Sequence, residues 1–163
     1  MEKILPKRKH PRLEHFDYGQ GGLYFVTICT QGRKRIFANI LDGAEIQLTE
    51  MGIIAENKLK EIGARYNNVC IEKYIIMPNH IHVLIEIKEM VSAGASPRPT
   101  LPDVMCAYKS LVTRIINGKY KYGKVFQTSF YEHIIRGKRD YLEIWDYIDN
   151  NPYLWEKDKL YVK

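Results

Sequence analysis

The chain has 163 residues, of which 45% are hydrophobic and 27% charged, and a net charge of +6. That length supports a single domain around one core, and the composition is that of an ordinary globular protein. No apolar run approaches the roughly 20 residues that cross a bilayer, and Met1–Arg12 is too basic and polar for a signal peptide.

Three cysteines, Cys29, Cys70 and Cys106, form no CxxC pair and each lies in an apolar stretch. They are expected as buried free thiols in a reducing cytoplasm, without a membrane partner. The excess of positive charge favours a polyanionic partner. Lys3, Lys7, Arg8, Lys9 and Arg12 crowd the N-terminus, Lys119, Lys121 and Lys124 alternate with Tyr120 and Tyr122, and Arg136, Lys138 and Arg139 form a third cluster. Aromatic rings set among cations suit stacking on unpaired bases, and 12 tyrosines supply them, although basic patches also occur as solvated faces.

Residues 1–22 read as a basic N-terminal arm closing on Gly19-Gln-Gly-Gly22. Leu23–Gln31, rich in β-branched and aromatic residues, is expected as a first, central strand. After the basic turn Gly32–Arg35, Ile46–Leu48 suggests a short strand leading into a helix over Glu50–Arg65 capped by Thr49. Met51, Ile54, Ala55, Leu59 and Ile62 form its apolar stripe. Val69–Met77, the turn Pro78-Asn79 and His80–Lys88 read as an antiparallel hairpin.

The second arm of that hairpin alternates strictly. His80, His82, Leu84 and Glu86 share one face, and Ile81, Val83, Ile85 and Ile87 share the other. Two imidazoles projecting together can hold one divalent ion, while a bare His-x-His is also compatible with two half-exposed structural histidines.

Residues 90–102 have the composition of a flexible linker loop, too short to divide domains. Asp103–Asn117 is expected as a second helix, burying Val104, Tyr108, Leu111 and Ile115 and leaving Lys109, Ser110 and Arg114 nearer solvent. Gly118–Lys124 follows as a basic, aromatic loop, then Phe126–Arg136 as a long strand. Lys138–Asn151 is a third helix, stopped by Pro152, with Tyr141, Ile144, Trp145 and Ile148 inward. Tyr147 and Asn151, four apart, sit together at the edge of that stripe, where they can present a phenol and an amide to a cleft or serve as a boundary tyrosine and a helix cap.

The order of elements is the ferredoxin-like split βαβ arrangement: an α+β fold, one domain over 1–163. Helices cover one face of an antiparallel sheet, and a C-terminal helix carrying Tyr147 is added.

Tyr24–Ile28 after a basic arm, Met77-Pro-Asn-His-Ile-His82, Phe130–Arg136 and Asp146-Tyr-Ile-Asp-Asn-Asn-Pro152 occur in an order and spacing that resemble the single-tyrosine HUH transposases of bacterial insertion sequences. The match is to the branch that includes the REP-associated tyrosine transposases, over roughly residues 8–155. The resemblance implies single-strand DNA cleavage and rejoining. His80 and His82 would hold Mg²⁺ or Mn²⁺, and Tyr147 would attack phosphorus to give a 5′-phosphotyrosine link and a free 3′-hydroxyl. The position of the family's third metal ligand is Asn151, where insertion-sequence relatives carry the longer Gln.

The family pattern has a histidine at His133, which could equally be a structural hydrogen-bonder supporting the site; Lys109, Arg114, Lys121 and Arg136 are hypothesised DNA-backbone contacts, each otherwise a solvated surface charge. Two imidazoles shift preference away from Mg²⁺, so Mn²⁺ is expected to work at least as well. The implied partner is single-stranded or hairpin DNA. Monomer and homodimer both stay open, since in some relatives the tyrosine helix serves the partner's histidines. Two readings compete: a non-catalytic nucleic-acid-binding module on a ferredoxin-like sheet, and a phosphodiesterase that activates water and never traps DNA.

Overall fold

The computed structural model describes residues 21–89 and 99–162. The basic residues Lys3 to Arg12 and most of the 90–102 linker lie outside them. A four-stranded antiparallel sheet is built from β1 (Gly22–Cys29), β4 (Val69–Ile76), β5 (His80–Ile87) and β6 (Tyr131–Ile134) in the order β4-β5-β1-β6. With α1 (Glu50–Arg65) after β1 and α2 (Leu101–Tyr120) after β5, this is the ferredoxin-like order expected. A small hairpin of β2 (Ala38–Ile40) and β3 (Ile46–Leu48) is inserted between β1 and α1, and α3 (Lys138–Asn150) follows β6.

The alternation of β5 decides which face meets which helix. Ile81, Val83, Ile85 and Ile87 join Tyr24, Val26 and Ile28 of β1 in the main core, closed by Ala55, Leu59 and Ile62 of α1 and by α2. The opposite face offers Leu84, which packs with Ile144 and Ile148 of α3 beside Phe25 and Trp145. Lys73 of β4 fastens α3 from the side, with its Nζ 2.7 Å from Asp149 and 3.9 Å from the centre of the Trp145 ring. The histidines therefore lie on the face that carries the tyrosine helix.

Several expectations needed correction. The long strand over Phe126–Arg136 is reduced to β6 and a single bridge between Thr30 and Phe126. Between them, Lys109 Nζ donates to the carbonyls of Gln127 at 2.5 Å and Thr128 at 2.8 Å, which turns those groups away from any strand partner. Helix α2 is longer than the 103–117 reading at both ends. It starts where Thr100 donates from N and Oγ1 to the Asp103 carboxylate, and it stops where Lys121 turns left-handed at φ 50°. It buries Val104 and Tyr108 as expected, but further along the buried positions are Val112 and Ile116, one residue beyond the expected Leu111 and Ile115. Of the three thiols only Cys29 is buried, Cys106 being exposed on α2 and Cys70 half-buried. Strand β2 went unread because three residues carry no visible period.

Candidate active site

The site is assembled from four parts of the fold. The first is the two-residue turn that opens β5. Met77 N–H donates to the His80 carbonyl, Phe37 N–H holds the Pro78 carbonyl, and Thr30 N–H holds the Asn79 carbonyl. His80 thus starts its strand from a fixed backbone, and neither His80 nor His82 is more than 2% exposed. Their rings meet edge-on at 4.5 Å.

Each imidazole is oriented through Nδ1. Asn79 spends its amide hydrogens on the Arg33 carbonyl and, at 2.7 Å, on the Leu160 carbonyl, so its Oδ1 faces His80. His80 Nδ1 donates to that oxygen at 2.8 Å, leaving the lone pair on Nε2. The second part is the neighbouring strand β1, whose Thr27 Oγ1 lies 2.8 Å from His82 Nδ1. Both Nε2 atoms are buried without a hydrogen-bond partner, and so is Asn151 Oδ1. Buried polar atoms are normally satisfied, so three orphans together point to a missing positive partner.

The third part is the C-terminal turn of α3. Tyr147 is 42% exposed, its ring 5.3 Å from that of His82 and edge-on to Phe25 at 5.9 Å, all in one chain. Asn151 caps the helix and is 1% exposed. The fourth part is the returning chain after Pro152. Trp155 is buried with its ring 5.9 Å from that of His80, and Asp158 follows a short 3-10 turn. Asp158 Oδ2 accepts from Asn151 Nδ2 at 3.0 Å and from the Tyr147 hydroxyl at 3.5 Å, while Oδ1 accepts from Leu160 N–H. Ligand atoms of His80, His82 and Asp158 all lie within 4.8 Å of one another.

The electrostatics follow from burial. Desolvation drives His80 down to about 4, against the opposing pull of Asp158 and Asn151. Burial also takes His82 well below its ordinary value, helped by the neighbouring His80. Both imidazoles are therefore neutral near pH 7, the form that binds a metal. Burial, then the charge of Asp158, raises the Tyr147 phenol above its usual range. The donor set of two imidazole nitrogens, a carboxylate and an amide oxygen fits a divalent ion.

The expected residues are not all here. His80, His82, Tyr147 and Asn151 converge. His133 does not join them: it lies on the same sheet face, but its Nε2 holds Asp140 of α3 at 2.9 Å. Arg136 N–H reaches the same carboxylate, which lies below its usual range through that backbone bond first and His133 second. Lys109, Arg114 and Lys124 line a separate groove along α2, Lys121 is its exposed cap, and Arg136 is exposed before α3. Among the described residues, the cations that line the cavity beside Tyr147 are Lys157 and Lys159. Asp158, Thr27, Phe25 and Tyr131 also went unread as site residues. Alternation along β1 places Phe25 and Thr27 on one face and could have found them, whereas Asp158 sits in an irregular segment that gives no periodic signal.

Fold and site together describe an α+β domain on a ferredoxin-like sheet, with two buried histidines beside a tyrosine of the last helix. No family model matches the chain. An uncharacterised protein of Haemophilus influenzae is 35% identical over 169 residues, covering 95% of this chain and 93% of its own. A second Haemophilus influenzae protein, provisionally named a REP-associated tyrosine transposase, is 29% identical over 83% of this chain and 73% of its own. Among solved structures, a REP-associated tyrosine transposase bound to a REP hairpin superposes with a TM-score of 0.58 at 18% identity, covering 87% of this chain and 73% of that one. A Deinococcus radiodurans protein described as a transposase on provisional grounds gives 0.50 at 18% identity, over 85% and 95%. The chain belongs to one family with the first Haemophilus protein, and it is similar to the REP-associated tyrosine transposases. Among the described residues no helix is long and apolar enough to cross a membrane.

Proposed function

We propose that the protein is a transposase-type DNA strand transferase that cuts one strand through a covalent 5′-phosphotyrosine at Tyr147 and can rejoin it. The observation that carries this reading is the convergence, within one chain, of His82, Asn151, Asp158 and the Tyr147 phenol on one cavity, with His80 grouped behind them within ligand distance of His82 and Asp158. The names of the second Haemophilus relative and of the hairpin-bound structure support the same activity. The substrate is single-stranded or hairpin DNA, drawn to a chain of net charge +6.

His80, His82 and Asp158, with Asn151 as a further oxygen donor, are the residues that would hold Mg²⁺ or Mn²⁺, and the two imidazoles favour Mn²⁺. When bound, such an ion polarises the scissile phosphate. The chain's own chemistry is nucleophilic. Tyr147 Oη forms a bond to phosphorus as the P–O3′ bond breaks, and the phenolic proton passes through solvent to the departing 3′-oxygen. One phosphodiester is exchanged for another, so the free 3′-hydroxyl can reverse the step without an energy source. Asp158 opposes ionisation of the phenol at rest and ceases to do so once its charge is engaged by a ligand. Tyr147 meets its own chain's His82, which supports a tyrosine acting on its own chain's histidines.

Incubation with hairpin oligonucleotides and Mn²⁺ tests the reading. A protein–DNA adduct that survives denaturation and disappears in Tyr147→Phe is expected. Tight binding without any adduct would instead establish the binding module, and nicking without an adduct the water-activating phosphodiesterase.

A further inference from the structure

Strand register places three side chains in one row across the catalytic face. Tyr131 of β6 pairs with Thr27 of β1, and Thr27 pairs with His82 of β5. Two strand spacings set Tyr131 about 10 Å from His82, a distance comparable to that from a phosphate to the far edge of its nucleoside. Tyr131 is 55% exposed, whereas Phe25 on the same face is half-buried and already in ring contact with His82 and Tyr147. Both line a cavity of about 640 Å³, whose lining also includes Leu154, Lys157, Lys159 and Leu160. Chemistry is thus gathered at one end of the cavity and an unused aromatic surface at the other.

We propose that Tyr131 is a stacking platform for an unpaired nucleobase adjacent to the scissile phosphate, with Lys157 and Lys159 against the neighbouring backbone. This rests on the strand-transfer reading and names what the cavity accepts. A base held in a duplex already has both faces stacked and cannot lie on the ring, so the platform selects single-stranded DNA. Stacking tolerates every base, so this end of the site contributes strand selection rather than sequence readout.

The test uses the full chain and an oligo-dT strand bearing one 2-aminopurine, whose fluorescence is quenched on stacking. Tyr131→Ala should weaken binding about 5- to 100-fold and abolish the protein-dependent quenching, while Tyr131→Phe retains both. Unchanged affinity and quenching in Tyr131→Ala would overturn the platform. Adduct formation with hairpin DNA is scored on the same proteins, so the two ideas fail separately. A normal wild-type adduct with an unaltered Tyr131→Ala affinity sinks the platform alone. Quenching that depends on Tyr131, without any wild-type adduct, sinks strand transfer and leaves the platform standing. Melting temperatures of the variants confirm that an exposed side chain has been exchanged without loss of the fold.

Discussion

At the scale of single residues, the site depends on which nitrogen of each imidazole keeps its lone pair. Asn79 settles this for His80, because its amide hydrogens are committed to Arg33 and Leu160 and only its oxygen is left to face the ring. The same amide ties down the segment that delivers Asp158, so one side chain orients two donors. Partners of this kind are worth about 10- to 100-fold in metal affinity. Asn79→Ala is expected to weaken Mn²⁺ binding by that factor in titration calorimetry while Tyr147 stays in place. An unchanged affinity would show that the ring is held by packing against Trp155 alone. His80, His82, Tyr147 and Asn151 were legible because strand alternation and helical spacing put them at defined positions, and the motif resemblance gave them roles. Asp158 was not, since a carboxylate reached through an irregular turn has no spacing relative to the groups it joins.

Elements were read best where local rules agree. Thr49 caps α1 through Gly52 N–H at 3.1 Å and donates from the same hydroxyl to the Ile36 carbonyl at 2.6 Å, so the helix begins where capping preference put it. The strand over Phe126–Arg136 was read too long because a lysine from another element holds the Gln127 and Thr128 carbonyls ahead of β6, a tertiary contact invisible in a local window. Helix α1 also sits unusually close to the segment that supports the histidine turn. A Cβ at Gly52 would run into the Phe37 carbonyl, and Phe37 N–H holds the Pro78 carbonyl at 3.0 Å. Alanine ordinarily strengthens a helix by about 1 kcal/mol over glycine. Here the backbone clash should override that gain, for a net loss of about 2 kcal/mol and a melting temperature about 5 °C lower. A rise in melting temperature for Gly52→Ala would mean that the helix can slide outward freely.

Whole-molecule behaviour follows from burying two neutral imidazoles in one place. The folded chain holds His80 at about 4, below its ordinary 6.5, so between those values the unfolded chain binds more protons. Stability is therefore fully present above about pH 6.5 and falls as pH drops toward 4, with His82 acting in the same direction. The loss is expected to reach a few kcal/mol in urea titrations of metal-free protein. The double variant His80→Gln/His82→Gln should flatten that dependence, and an equally steep wild type and variant would remove these histidines as its cause. Topology was readable because the order of elements leaves few ways to arrange an antiparallel sheet. The joining of the last turns to the strand face was not, because it depends on where the chain goes after Pro152.

One phenol stands over one histidine pair. In the proposed reaction that phenol is a reagent as well as a tool, spent when it is esterified and restored only when the strand is handed back. Such a centre can hold a single DNA end at a time, and turnover becomes a matter of release. Any exchange between two ends would then have to be sequential, or shared between two molecules.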